Sequence, residues 1–280
     1  MLEGEEIMLE FLKAILFGIV EGITEWLPIS STGHMILLNE FVKLDVSPEF
    51  WEMFLVVIQL GAIVAVVLLF WKKIFPFQFD KKPIIKKDIF EMWFKVLVAC
   101  VPAAVVGILF DDILEQYLYN YITVSIALIV FGIAFLIIEE KNKGKKAKIR
   151  KISQITYKTA ALIGLFQLIA AIFPGTSRSG ATIVGALLIG VSRTVAAEFT
   201  FFLAIPVMLG ASLLKILKFG LEFTVYEAGI LLTGMVVAFV VSVVVIKFLM
   251  DYIKKNDFKV FGWYRIVLGA LVLLYFGIIA

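Results

Sequence analysis

The sequence predicts an all-α polytopic membrane protein with six transmembrane helices and two re-entrant helix–loop–helix hairpins, arranged as an inverted-topology repeat. Three observations lead to this prediction. Hydrophobic residues make up 62% of the 280 positions, above the roughly 45–50% that is usual for a soluble domain. Several apolar runs reach the roughly 20 residues that a helix needs to cross a bilayer. Two similar polar segments, far apart in the chain, interrupt otherwise apolar sequence.

The two polar segments read GIVEGITEWLPISSTGH, from Gly18 to His34, and GLFQLIAAIFPGTSRSG, from Gly164 to Gly180. Aligning their first glycines places these residues opposite each other: Glu21 and Gln167, Glu25 and Ala171, Pro28 and Pro174, Ser30 and Thr176, Ser31 and Ser177, Thr32 and Arg178. The copies share a scaffold but differ in their charged groups. This pattern indicates a duplicated fold whose halves meet at one asymmetric site.

Six full spans are predicted, at 51–71, 90–110, 121–138, 195–217, 225–249 and 260–279. Each polar segment instead consists of an apolar helical arm, a break rich in Pro, Gly, Ser and Thr, and a shorter apolar arm. These arms are predicted at 11–26, 34–43, 158–172 and 180–190. Backbone groups in such a break lack partners in lipid, so the break must be buried in protein or line a wet cavity. Re-entrant hairpins are therefore favoured over two ordinary spans kinked at proline.

Loop charges support re-entrant hairpins. Basic residues concentrate at 72–87, 141–151 and 247–259, whereas the other ends are acidic: Glu3, Glu5, Glu6, Asp111, Asp112, Glu115, Glu222 and Glu227. If each hairpin enters and leaves on one side, all three basic loops share a face, which the positive-inside rule makes cytoplasmic. We expect a multi-pass protein of the inner (plasma) membrane, with both termini and the opening of the site outside.

Each half of the repeat then contains one hairpin and three spans. The first half covers about 1–140 and the second about 152–280, joined by the basic linker 141–151, and together they form a single membrane domain over 1–280. Because three is odd, the second half is inserted upside down relative to the first. The hairpin tips are expected to meet near the midplane, where inverted-repeat proteins place their sites.

Glu21 and Glu25 are four residues apart on a predicted helix, so both carboxylates project from one face. Ionised groups inside a membrane segment are costly and usually functional. Two neighbouring carboxylates suit a divalent metal, or acid–base chemistry in which one group raises the pKa of the other. The alternative is that the pair lies near the surface or forms ion pairs.

After Pro28, Ser30, Ser31, Thr32 and Gly33 precede an apolar helix. Hydroxyls and free N–H groups at a helix start favour an anion. His34, the next residue, is the only histidine in the chain. It is the sole imidazole available for proton transfer near neutral pH; the alternative is a packed core or interface histidine.

The second break carries Thr176, Ser177, Arg178, Ser179 and Gly180. Arginine presents a planar fork of donors that suits phosphate oxygens, and glycine lets the backbone approach an anion closely. The alternative is that Arg178 only neutralises a glutamate of the first break, although such pairing is compatible with phosphate binding. Three further cations are assigned no chemistry: Arg193 is expected to be interfacial, and Arg265 and Lys95 are expected to snorkel.

Together these groups suit a phosphate ester or anhydride. Because the site lies within an apolar bundle, the expected substrate is amphiphilic, with a phosphate head and a hydrocarbon tail. The competing class is a transporter or flippase of a polyprenyl phosphate or other anion, since broken helices and midplane charges are general features of inverted-repeat transporters. A purely structural scaffold does not explain so many polar groups at membrane depth.

At these residues the chain resembles the undecaprenyl-diphosphate phosphatase family, the bacitracin-resistance type of integral membrane phosphatase. The segments GIVEGITEWLPISSTGH and PGTSRSG match the two signatures of that family, and the resemblance covers essentially the whole chain. It implies hydrolysis of undecaprenyl diphosphate to undecaprenyl phosphate and inorganic phosphate, which recycles the lipid carrier of cell-wall synthesis. It also implies a divalent cation, with Mg²⁺ or Ca²⁺ as the usual candidates.

The sequence and the resemblance together give a set of expected roles. Arg178 would clamp the diphosphate, and Glu21 and Glu25 would hold the metal or position a proton. His34 would act as a general base on water, or on Ser31 if a covalent step occurs. The substrate-binding group is expected to comprise Ser30, Thr32, Gly33, Thr176, Ser177, Ser179 and Gly180. The expected partners are the polyprenyl diphosphate and membrane lipid, without nucleic acid; a homodimer is left open.

Overall fold

The computed structural model describes residues 4–79, 83–220 and 222–278, and within these ranges all the regular structure is helical. Glu3, Lys81 and Lys82 of the predicted charge pattern lie outside the described residues, as do the side chains of Asp111, Asp112 and Glu115. The α-helices are α1 Gly4–Thr24, α2 Ser31–Phe41, α3 Pro48–Val57, α4 Gln59–Ile74, α5 Lys87–Leu118, α6 Tyr121–Asn142, α7 Tyr157–Ile172, α8 Arg178–Leu188, α9 Arg193–Phe219, α10 Val225–Lys255 and α11 Lys259–Ile278.

Among the described residues, six segments are long and apolar enough to cross a membrane, and they confirm the six predicted spans. They are Pro48–Ile74, Lys87–Phe110, Tyr121–Asn142, Arg193–Phe219, Val225–Lys255 and Lys259–Ile278. The first span begins earlier than predicted because Ser47 caps it, accepting a hydrogen bond from the Phe50 N–H at 3.1 Å, and Pro48 suits the first helical position. It is also divided at Ile58, between α3 and α4.

The four predicted hairpin arms form helices of two kinds. The arms α1 and α7 precede the breaks, whereas α2 and α8 follow them and have 11 residues each. At 1.5 Å per residue such a helix is about 16 Å long, too short to cross a bilayer core of about 30 Å. Neither α2 nor α8 can therefore cross the membrane as a full span.

Three helix pairs pack along most of their length, and two of them include the helices that lead into the breaks. Helix α1 packs along α10, α7 along α5, and α6 along α11. Trp26, in the first break, is fully buried and meets Phe201 of α9 edge to face, with ring centroids 5.2 Å apart. Because this aromatic contact fixes the loop that carries Glu25, the first break is held by core packing and not only by hydrogen bonds.

A buried carboxylate joins three elements at the basic end of the bundle. Glu139 of α6 is only 2% exposed. Its Oε1 accepts hydrogen bonds from Arg193 Nε at 2.9 Å and from the Phe258 backbone N–H at 3.1 Å, and Arg193 Nη2 contacts its Oε2. The expectation that Arg193 is only interfacial is therefore wrong, because its side chain ties α9 to α6.

We expect Glu139→Ala to lower the thermal unfolding midpoint of the detergent-purified protein clearly. The change leaves a buried N–H and a guanidinium without their acceptor, at a cost of about 1–3 kcal/mol. The neighbouring Glu140→Ala is the matched control, because Glu140 is exposed and its contacts with Lys143 and Lys259 lie at the surface. Equal midpoints for the two variants would contradict the assigned role of Glu139.

Candidate active site

Each break ends at a serine that starts the following helix in the same unusual way. Ser30 and Ser177 have backbone φ of 76° and 67°, the only positive values among the described non-glycine residues. Their hydroxyls accept hydrogen bonds from the N–H groups of Gly33 and Gly180, at 3.3 Å and 3.2 Å. Positive φ is uncommon for serine, and strained backbone of this kind concentrates at functional sites.

This shared cap corrects the alignment of the two polar segments. Aligning the prolines pairs Ser30 with Thr176, but the backbone geometry pairs Ser30 with Ser177. The second loop has one more residue between its proline and its cap. It follows that Ser31, not Thr32, is the counterpart of Arg178: each is the first residue of its helix.

The two helix starts meet on one carboxylate. Arg178 Nη2 donates to Glu25 Oε1 at 3.0 Å, and Ser31 Oγ donates to Glu25 Oε2 at 2.7 Å. The Ser179 hydroxyl lies 3.3 Å from the Glu25 backbone carbonyl. Both oxygens of the buried Glu25 are thus engaged, and the side chains of the first residues of α2 and α8 reach the same carboxylate. Helix N-termini favour an anion, and the charge of Arg178 is here offset by Glu25.

Arg178 is held by more than this ion pair. Its Nη1 donates to the Thr200 carbonyl of α9 at 3.0 Å, whereas its Nε is buried and has no hydrogen-bond partner in the part of the chain that the structure describes. Thr182, one turn along α8, contacts the Thr200 hydroxyl at 2.8 Å. The predicted pairing with a glutamate is therefore present, and one donor of the fork remains available for another acceptor.

Glu21 lies one helical turn before Glu25 and is 1% exposed. Its carbonyl accepts the Glu25 N–H at 3.0 Å, so the backbone is helical here. Its side-chain Oε1 has no hydrogen-bond partner among the described residues. Buried polar atoms are nearly always paired, and an unpaired carboxylate oxygen is costly. This atom is the clearest indication that the site binds something further.

His34 faces the other side of the break. Its Nδ1 lies 2.7 Å from the Ser30 carbonyl, and its Nε2 lies 2.7 Å from the Tyr264 hydroxyl, with the two rings stacked. Because a carbonyl can only accept, Nδ1 is the donor and Nε2 of the neutral ring accepts from Tyr264. The hydrogen bond of Ser31 goes to Glu25 and not to His34.

Arg265 of α11 is the most important residue of the site that the sequence did not predict. It is 0% exposed, so the expectation that it snorkels is wrong. Its guanidinium donates at 2.8–3.4 Å to five backbone carbonyls, those of Pro28, Ala127, Leu128, Gly175 and Thr176. It thereby joins both breaks to α6. Gly175 is required in this packing because its φ is 87° and a Cβ would lie 2.5 Å from the Val124 carbonyl oxygen.

The remaining predicted residues lie around this centre and differ in how deeply they are buried. Thr176 is fully buried and its hydroxyl has no partner, while Ser177 and Ser179 hydroxyls lie 3.0 Å apart. Thr32 is partly exposed on the first turn of α2. The partly exposed members of the site are Ser31, Thr32, His34, Ser177 and Arg178, so a ligand would reach the site past these side chains.

The donor set fits a cation only in part. Among the described residues there is no cluster of three or more His, Cys, Asp or Glu side chains. Mg²⁺, however, commonly binds through one or two carboxylates together with waters and substrate phosphates. Glu21, with its unpaired Oε1, fits that arrangement, whereas Glu25 is already committed to Arg178 and Ser31.

These features define an integral membrane protein whose helical bundle holds a candidate anion-binding site with two buried carboxylates. Comparison with known proteins places it more closely: the family model described as bacitracin resistance protein BacA matches residues 14–271. The chain belongs to this family. Relatives named undecaprenyl-diphosphatase include proteins from Desulfitobacterium hafniense, 69% identical over 96% of this chain and 97% of its own, and Clostridium acetobutylicum, 66% identical over 97% and 99%. One from Enterococcus faecalis is 65% identical over 95% and 97%.

Proposed function

We infer that this protein is an undecaprenyl-diphosphatase of the membrane, which hydrolyses undecaprenyl diphosphate to undecaprenyl phosphate and inorganic phosphate. The observation that carries the inference is the cluster of Arg178, Ser31 and the buried Glu25, in which the first residues of two helices meet on one carboxylate. It suits a diphosphate, and relatives 65–69% identical carry that name. This activity recycles the lipid carrier of cell-wall synthesis and gives bacitracin resistance.

Substrate phosphate is proposed to bind between the two helix starts. The unpartnered Nε of Arg178, the hydroxyls of Thr176, Ser177 and Ser179, and the N-terminal ends of α2 and α8 would supply donors. As negative charge builds up on the phosphoryl oxygens, fixed donors of this kind stabilise it without reorganising. Arg178 is proposed to remain anchored by the Thr200 carbonyl.

Two routes to breaking the anhydride bond are proposed. In one, Ser31 Oγ attacks the terminal phosphorus, its proton passes to Glu25 Oε2 across the 2.7 Å hydrogen bond, and undecaprenyl phosphate leaves; water then hydrolyses the phosphoserine. In the other, water attacks the terminal phosphorus, undecaprenyl phosphate leaves, and the proton of the water passes to Nε2 of His34, which must first exchange its hydrogen bond from the Tyr264 hydroxyl for one from the water. Trapping a phosphoryl-enzyme from labelled diphosphate would support the first route, and finding none would support the second.

A divalent cation, Mg²⁺ or Ca²⁺, is proposed to be held by Glu21 together with substrate phosphate oxygens. Its chemistry would be the neutralisation of negative charge on the diphosphate. Support comes from the buried Glu21 Oε1, which has no hydrogen-bond partner. Glu25 would contribute to the local negative charge that attracts the ion while keeping its contacts with Arg178 and Ser31.

We expect Glu21→Gln to raise the cation concentration that gives half-maximal phosphate release by at least about tenfold, since loss of even an outer-shell partner costs that much. The measurement is a titration of Mg²⁺ or Ca²⁺ into EDTA-treated protein. Glu40→Gln is the matched control, because Glu40 is exposed at the end of α2. An unchanged cation requirement in Glu21→Gln would remove Glu21 as a ligand.

The finer topology is also proposed. The α1–α2 and α7–α8 pairs would be re-entrant hairpins of an inverted repeat, with halves at about 1–140 and 152–280. Reciprocal packing supports this: α1 packs on α10, and its counterpart α7 packs on α5, the counterpart of α10. The three basic loops would then be cytoplasmic, with the termini and the opening of the site outside the plasma membrane.

The test of the function is phosphate release from undecaprenyl diphosphate by detergent-purified protein, with and without EDTA. Release that is lost in both Glu21→Ala and Arg178→Ala would support the activity and the site together. No release from folded wild-type protein, combined with transfer of a polyprenyl phosphate between the leaflets of vesicles, would favour the transporter instead.

A further inference from the structure

A cavity lies at the basic end of the bundle, between the ends of α4, α5 and α9 and the turn at 150–153. Its volume is about 660 Å³. None of the residues assigned to the active site lines it. Its basic residues come from two of the three basic loops and from α5: Lys72, Lys73, Lys86, Lys95, Arg150 and Lys151.

The cavity carries an excess of positive charge. Against its six basic residues stand three acidic ones, and two of these are paired: Glu198 with Lys73 and Glu91 with Lys95, both at 2.7 Å. Within the part of the chain that the structure describes, Lys72, Lys86, Arg150 and Lys151 have no carboxylate partner. Their charges are therefore available to an anion.

The floor of the cavity is apolar and continuous with the core. Ile89 and Met92 of α5 and Val195 and Phe202 of α9 line it and are all buried. Lys95, within the apolar span Lys87–Phe110, is only 6% exposed and brings a cation below the rim. A basic rim over an apolar floor complements an amphiphile with an anionic head better than it complements a free anion.

We propose that this cavity binds the phosphate-bearing headgroup of an anionic membrane lipid. Basic pockets between transmembrane helices hold such headgroups, and each lysine or arginine near the lipid contributes to the attraction. One helix separates this lipid site from the active site: α9 presents Glu198 and Phe202 to the cavity, while its Thr200 carbonyl holds Arg178. A bound lipid would therefore stabilise the helix that anchors Arg178.

The test uses the full-length protein in an uncharged detergent, with the thermal unfolding midpoint followed as phosphatidylglycerol is added. A ligand that binds only the folded state raises this midpoint in a saturable way. We expect a saturable rise with phosphatidylglycerol and none with phosphatidylcholine. Inorganic phosphate at the same concentration is expected to give no rise that depends on the cavity residues, and an equal rise that the cavity variants described next abolish would overturn the lipid assignment in favour of a free-phosphate site.

Two cavity variants and one control decide whether the lipid sits here. Arg150→Gln/Lys151→Gln and Lys72→Gln/Lys86→Gln each remove two charges from the rim, and Lys145→Gln/Lys146→Gln removes two exposed charges of the same basic loop outside it. The apparent affinity should weaken about tenfold or more in both cavity variants and remain near wild type in the control. Equal weakening in all three would mean general attraction to the basic face and would overturn the proposal.

Discussion

Arg178→Lys is expected to release phosphate from undecaprenyl diphosphate at least about 100-fold more slowly than wild type. Removing one hydrogen-bond donor to a developing oxyanion typically lowers the rate of an enzyme by about this factor. The guanidinium uses one nitrogen on Glu25 and another on the Thr200 carbonyl, and keeps a third free of partners. A lysine ammonium retains the charge but cannot reach all these positions at once. The loss should therefore come from geometry and not from charge.

The assay compares wild type, Arg178→Lys and Lys145→Arg in the same detergent and cation concentration. Lys145 is exposed and lies outside both the active site and the basic cavity, so exchanging lysine for arginine there should leave the rate near that of wild type. Thermal unfolding of all three proteins shows whether Arg178→Lys is still folded. Near-normal release by a folded Arg178→Lys protein would exclude the clamp.

The six spans could be predicted from the sequence because a helix that crosses lipid must be apolar over its length, and hydropathy measures this directly. The sequence also located the polar centre, since Glu21, Glu25 and Arg178 stand out in apolar surroundings. Where it failed, the determining feature was backbone conformation. The positive φ of Ser30 and Ser177, which reveals that Ser31 and Arg178 are counterparts, has no signature in residue type.

The contacts of His34 and Arg265 could not be predicted for a different reason. Each depends on long-range partners: His34 contacts Tyr264, and Arg265 contacts carbonyls that are more than 80 positions away in sequence. Every residue has a backbone carbonyl, so the amino-acid sequence does not show where several carbonyls come close together. An arginine in an apolar span is the only available signal, and snorkelling is its commonest explanation.

Arg265→Met is expected to lower both the thermal unfolding midpoint and the rate of phosphate release, because both breaks lose their common hydrogen-bond donor. The carbonyls of Pro28, Gly175 and Thr176 lie in the breaks and would be left buried without this partner. Each orphaned acceptor costs about 1–3 kcal/mol, and no lipid atom can replace the donor. The combined loss is a large fraction of the stability of a typical protein.

The hydrogen bonds of Arg265 go to backbone carbonyls and to no carboxylate among the described residues. The substitution should therefore change the rate by moving Ser31 and Arg178 and not by removing a charge from the site. Arg265→Lys, which can serve fewer carbonyls, should fall between wild type and Arg265→Met in both measurements. Lys259→Met is the control, since it removes a cation from the partly exposed start of the same helix. Because Arg265 joins both breaks, activity in Arg265→Lys should fall in step with the unfolding midpoint. A folded Arg265→Met protein with wild-type midpoint and rate would show that core packing alone holds the two breaks together.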